Sequence, residues 1–105
     1  MVEGKTESGF EFKIDETVVN SMEFYDIMAD LKDAADKEAA NPNDADAGMA
    51  SVQAKRNYEI LLLGKAQRDA LIKHCKGENG VTDVTVFQNE LQQILAKAHG
   101  KLKNS

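Results

Sequence analysis

Residues 58–75 read YEILLLGKAQRDALIKHC, and this stretch decides the fold. Ile60, Leu61, Leu62 and Leu63 follow one another, so the helical turn they form is apolar almost all round. A turn of that kind belongs inside a core. Gly64 comes next, where a left-handed residue commonly ends a helix. Beyond it Ala66, Ala70, Leu71 and Cys75 recur at helical spacing. The stretch therefore predicts two helices hinged at a glycine, one over 49–63 and one over 65–76. Met49, Val52 and Tyr58 carry the apolar positions of the first helix upstream.

Toward the N-terminus, residues 42–48 form a polar loop after Pro42, which disfavours helical geometry in the residue before it. A helix over 20–41 precedes that loop. Asn20 stands at its N-cap with Glu23 three residues later, and Val19 and Phe24 are placed for a hydrophobic staple. Phe24, Ile27, Met28 and Leu31 make one apolar stripe. The second half of this helix is rich in alanine and charge. Earlier still, Phe10, Phe12 and Ile14 alternate with charged residues, the period-two pattern of a half-buried strand. Thr6–Gly9 has turn chemistry, so residues 2–6 are positioned to fold back as a partner strand. An isolated hairpin is marginal in water, so this one either packs on the helices or pairs with another chain.

Toward the C-terminus, Gly77-Glu-Asn-Gly80 ends the third helix. A fourth covers 83–99, with Val84, Phe87, Leu91, Ile94, Leu95, Ala98 and Leu102 on one stripe, and residues 100–105 form a frayed tail. The fold class is mainly α: about four helices in a small bundle with a short N-terminal β-strand or hairpin. A chain of 105 residues suits a single domain. No apolar run approaches the ~20 residues that span a bilayer, which points to a soluble intracellular protein with no membrane partner.

Charge is unevenly spread. Residues 1–50 carry 4 Lys against 13 Asp or Glu, and residues 51–105 carry 9 Lys or Arg against 5, for a total of −5. Two readings stand. The halves neutralise each other within one fold, or they leave a dipole that favours head-to-tail contact between copies. A net acidic chain is a poor match for phosphate, so nucleic acid is not the expected partner.

No catalytic constellation emerges. His74 and Cys75 are neighbours on a helix and point about 100° apart, so they do not form a nucleophile and its base. The single cysteine reads as a small buried hydrophobe. His74 and His99 are the only histidines, too few for a zinc site. The segment from Asp44 has Met49 and Lys55 where a calcium loop needs glycine and glutamate. Gly64-Lys-Ala lacks the rest of a phosphate loop. We therefore expect no enzyme, no cofactor and no metal. What remains is contact surface, with Phe10, Phe12, Ile14, Met22 and Met28 as the candidate protein-interaction residues. Met22, Met28 and Met49 suit an adaptable apolar surface, and equally suit core filling.

The order of these elements resembles the tail assembly chaperones of siphophages, especially those of Gram-positive hosts. The resemblance rests on GFEFKID (9–15), the acidic helix NSMEFYDIMADL (20–31) and the polar spacer after it. Its most specific piece is Leu63-Gly64-x-x-Gln67-x-x-x-Leu71-x-x-His74 followed by Gly80-Val81. It implies a non-enzymatic helical protein in the cytoplasm of the infected bacterium, absent from the mature virion. Its implied partners are the tape measure protein, the tail tube protein and further copies of itself. Members are often also made as a longer frameshifted product, and the ending Lys-Asn-Ser fits the short one. A small helical adaptor or regulatory protein with a single protein partner is the alternative reading.

Overall fold

The structure is a computed structural model that describes residues 1–103, with side chains through residue 100. It is mainly helical with a two-stranded antiparallel hairpin at the N-terminus, as the period-two and helical patterns predict. Strand β1 spans Val2–Lys5 and β2 spans Glu11–Ile14. The helices are α1 (Glu16–Val19), α2 (Met22–Ala40), α3 (Ala45–Leu63), α4 (Lys65–His74) and α5 (Val84–Lys103). The chain forms two compact units. One comprises Met1–Glu16 with the chain from Leu63 on, and the other is Thr17–Leu62.

In the first unit the hairpin pairs Val2 with Ile14 and Gly4 with Phe12. Its turn closes with Gly9 N–H donating to the Thr6 carbonyl at 3.0 Å, and Gly9 then takes φ +94. This is a turn followed by a glycine bulge, a frequent way of making a three-residue hairpin loop. Alternation puts Val2, Phe10, Phe12 and Ile14 inside. Glu3, Lys5, Glu11 and Lys13 stay outside, with Lys13 to Glu3 at 3.7 Å and Lys5 to Glu11 at 4.0 Å. Exposed pairs of this kind add little stability. Gly4 is required where it stands, because a Cβ there would lie 2.6 Å from the Phe12 ring.

The buried face of the hairpin shares this unit's core with Leu63, Leu71, Cys75, Phe87, Leu91, Ile94 and Ala98. Ile14, Leu71 and Ile94 are fully buried. β1 lies against α5, where Lys97 Nζ donates to the Lys5 carbonyl at 2.6 Å and Gln93 Oε1 accepts from Glu7 N–H at 2.8 Å. Between α4 and α5, Gly77 N–H donates to the Val81 carbonyl and Thr82 Oγ1 to that of Ile72. Asp83 then caps α5 by accepting from Thr85 N–H at 2.7 Å.

The second unit holds α2 and α3, which run antiparallel. Near one end the Phe24 and Tyr58 rings stand 5.6 Å apart. Near the other, the Glu38 carboxylate lies 3.6 Å from where a Cβ on Gly48 would be. Phe24, Ile27 and Leu31 are half-buried and Ala34 is buried. On α3 the buried face consists of Ala47, Ser51 and Ala54, continuing to Leu62.

Several expectations shift. The N-cap of the long acidic helix is Ser21, one residue after Asn20, with its hydroxyl accepting from Phe24 N–H at 3.1 Å. The cause is the one-turn helix α1, whose Val18 carbonyl takes both the N–H and the hydroxyl of Ser21. The loop expected over 42–48 is shorter, because Asp44 accepts from Asp46 N–H at 2.9 Å and starts α3 at Ala45. Met49 and Val52 are exposed, since the small-residue face of α3 is the one covered. Ala66 and Ala70 are exposed as well, and Leu71 and Cys75 carry the buried side of α4. Gly64 does take positive φ (81°), but its ψ of 152° is extended, and its carbonyl opens α4 by accepting from Arg68 N–H. Helix α4 ends at His74 rather than residue 76, with Cys75 as its C-cap. Helix α5 runs through Gly100 to Lys103, since one glycine costs a long helix only about 1 kcal/mol. The Leu102 side chain and the last two residues of the expected tail lie outside the described residues.

Ile94→Ala is expected to cost about 2–5 kcal/mol, as for other large core truncations. Gly4→Ala is expected to cost about 1–3 kcal/mol, because Phe12 must move. Urea denaturation followed by circular dichroism measures both.

Candidate functional site

Three places on the molecule bring chemistry-bearing residues together. The first is the hairpin turn. Thr6 Oγ1 accepts from Phe10 N–H at 3.1 Å and lies 3.2 Å from Ser8 Oγ. Ser8 Oγ donates to Glu90 Oε1 and lies 2.8 Å from His74 Nε2. Since the Ser8 proton goes to Glu90, the imidazole donates through Nε2. The His74 ring also packs against Phe10, centroid to centroid 5.3 Å. Glu90 is buried, and its second carboxylate oxygen, Oε2, has no hydrogen-bond partner among the described residues.

Ser, His and Glu thus meet, but in an order that differs from a nucleophilic relay. In such a relay the imidazole stands between hydroxyl and carboxylate. Here the hydroxyl stands between the other two. The arrangement fastens the turn to α4 and α5 at once. Cys75 sits on the buried side of α4, away from its neighbour His74. Burial pushes its thiol above the ordinary range, and the Glu90 charge adds to the effect.

The second place is the outer face of the hairpin. Glu3, Lys5, Glu11 and Lys13 surround an open hollow of about 590 Å³ that reaches Gln67. Two acids and two bases leave this face without net charge, so it selects neither anions nor cations. Gln67, near the start of α4, bonds the backbone of β2. Its Oε1 accepts from Lys13 N–H at 2.8 Å, and its Nε2 donates to the Lys13 carbonyl at 2.9 Å. The same Nε2 also donates to the Leu63 carbonyl at 2.9 Å, where α3 ends.

The third place is the outer surface of α2 and α3. Met22 (67% exposed), Tyr25 (68%) and Met28 (45%) share one flank of α2, and Met49 and Val52 stand out from α3. The Tyr58 hydroxyl, half-buried in this unit, is pushed above its usual range by burial and then by the Glu59 charge.

Of the candidate interaction residues, Met22 and Met28 are on the surface, while Phe10, Phe12 and Ile14 are buried in the first unit. What β2 leaves exposed for contact is its backbone edge and the Glu11 and Lys13 side chains. The sequence marks Gln67 only as a motif position and gives Ser8 and Glu90 no signal at all. Their links between elements span 54 residues or more, and no local spacing announces them. Among the described residues no group of three or more His, Cys, Asp or Glu is placed to hold a metal ion. No described helix is long and apolar enough to cross a membrane. No protein-family model, curated protein or solved structure matches the chain.

Ser8→Ala leaves a buried carboxylate with no donor at Oε1, and is expected to cost about 1–3 kcal/mol in urea denaturation. Glu90→Gln keeps the acceptor and removes the buried charge, so its loss is expected to be smaller. Iodoacetamide should alkylate Cys75 more slowly in the folded than in the unfolded chain, with the pH midpoint displaced upward. The linked effect on stability has a definite sign. Below about pH 9, the ordinary thiol value, the proton stays on in both states and the contribution is complete. As pH climbs through the raised folded value, the unfolded chain has already ionised and stability falls.

Proposed function

We propose that this protein is a tail assembly chaperone of a long-tailed bacteriophage. It binds the tape measure protein in the host cytoplasm, keeps it soluble while tail tube subunits assemble around it, and is left out of the finished particle. It carries out no covalent chemistry. The observation that carries this reading is the apolar flank of α2, where Met22, Tyr25 and Met28 are exposed at spacings of three. A client that is a long amphipathic helix needs a surface that adapts to many side-chain patterns. Methionine supplies that, because its unbranched, polarizable chain repacks at little cost. Each methionine buried at such a contact contributes on the order of 1.5–3 kcal/mol, and many copies along one client add by avidity.

The sequence pattern behind the resemblance also gains physical content. Leu63 and Leu71 are buried, Gly64 has the positive φ between α3 and α4, Gln67 holds β2, and His74 holds the turn. Each of these five residues has a structural task in one unit, and that supports treating the stretch from Leu63 to His74 as a single inherited arrangement. The separation of acidic and basic residues along the chain supports stacking of copies.

Co-expression with a long, coiled-coil-rich tail protein tests the reading: the soluble fraction of that client is expected to rise severalfold. The double substitution Met22→Lys and Met28→Lys is expected to abolish the gain while changing thermal stability little, as surface changes usually do. An unchanged client yield with the parent protein would remove the main support. Saturation at one copy per client would favour a single-partner adaptor. The protein alone is expected to show concentration-dependent oligomers in sedimentation, weaker at high salt.

A further inference from the structure

We infer that the outer edge of β2 is a self-pairing surface that the Gln67 side chain holds closed, and that its occupant when Gln67 swings away is β2 of a second copy. The inference is independent of the chaperone reading.

The hydrogen-bond alternation of the hairpin determines which backbone groups face outward. Lys13 directs its N–H and carbonyl to Gln67, away from β1. In an antiparallel ladder the residue two positions along points the same way, so Glu11 also presents its N–H and carbonyl to the outer side. The other strand is consistent: the Lys5 carbonyl, opposite Glu11, points away from β2 to Lys97. The Glu11 backbone has no partner on that outer side among the described residues. Its side chain is 81% exposed, so the edge is open there.

At Lys13 the edge is occupied by an imitation. An amide that accepts from a residue's N–H and donates to its carbonyl makes the two bonds an opposing strand residue would make. Gln67 is therefore a one-rung substitute for a third strand, anchored through its second amide proton to the Leu63 carbonyl. Natural sheets protect exposed edges with charges, bulges or covers, and a side-chain plug serves the same end. It is also reversible, since hydrogen bonds between accessible groups are nearly balanced by bonds to water.

The strand itself specifies the occupant. Its centre reads Glu11-Phe12-Lys13. Two copies run antiparallel about Phe12 place each Glu11 opposite Lys13 of the other. Both pairs then exchange N–H and carbonyl bonds, so all four outward groups on each copy are satisfied. On the solvent face each pair brings opposite charges side by side, a favourable cross-strand match. Sliding by two residues in either direction loses this complementarity, so the charges also fix the register. The product is a four-stranded antiparallel sheet across the two-fold axis, with an isologous interface.

The experiment is sedimentation velocity on the full chain. Gln67→Ala is expected to lower the dimer dissociation constant at least tenfold relative to the parent in the same buffer. Gln67→Glu, which still accepts from Lys13 N–H but no longer donates to its carbonyl, is expected to shift it in the same direction and decides the matter if the alanine variant does not fold. In the Gln67→Ala background, Glu11→Lys or Lys13→Glu alone opposes like charges across the axis and is expected to return association to the parent level. Mixing those two variants restores opposite charges at both positions and is expected to give a heterodimer. The inference is overturned if folded Gln67→Ala and Gln67→Glu associate no more than the parent. It is overturned as well if Glu11→Lys leaves the new association intact, or if the mixture associates no better than its components. Faster amide exchange at Lys13 without any dimer would also overturn it, by showing an edge that opens and takes no second copy.

Discussion

A two-stranded hairpin of four-residue strands does not hold itself together in water. That constraint organises the first unit. Each part of the hairpin is tied to a helix by a different kind of interaction. Its apolar face, Val2, Phe10, Phe12 and Ile14, is buried in the core that Leu71 and Ile94 complete. Its β1 edge takes the Lys97 ammonium, its turn takes the hydroxyl and carboxylate bonds centred on Ser8, and its β2 edge takes Gln67. The apolar burial supplies most of the free energy, at roughly 25 cal/mol per Å². The polar ties supply register, because a slip of one residue would turn the buried face outward.

The same division explains what could be read from the chain. Alternation at Phe10, Phe12 and Ile14 predicts the hairpin because period two is a property of consecutive residues. The apolar turn at Ile60–Leu63 and the glycine after it predict a helix end for the same reason. Capping is local too, yet it was displaced by one residue. Asn20 and Ser21 are both competent caps, and the choice falls to Ser21 because α1 offers it the Val18 carbonyl. Hydrophobicity ranks Met49 and Val52 above Ala47, Ser51 and Ala54, so it points to the wrong face of α3. Which face is covered depends on what lies against the helix, and a single sequence does not contain that.

The contacts at the candidate sites were the least legible. Ser8 meets His74 across 66 residues and Glu90 across 82. Serine in a turn, histidine at a helix end and glutamate on a helix are each ordinary. Only the fold makes them neighbours, and it does so with Ser8 in the middle. Gln67 is similar, since a glutamine in a first helical turn usually points to solvent. Its significance appears once β2 runs past it with an unpaired backbone.

Glu90 is where burial and polar anchoring meet. A buried carboxylate is normally tolerated only with a full set of donors. Glu90 has the Ser8 hydroxyl on one oxygen and none on the other, and it faces a thiol whose ionisation it further discourages. Such a group is a poor choice for maximal stability, since an apolar residue of similar size would pack without a desolvation cost. It is a better choice for uniqueness. The turn can sit correctly only when Ser8 reaches the carboxylate, so misplacing the hairpin leaves Glu90 buried without a donor. The polar ties at the turn and at Gln67 thus penalise wrong seating of the hairpin more than they reward the right one. That asymmetry leaves its outer edge positioned by interactions weak enough to exchange.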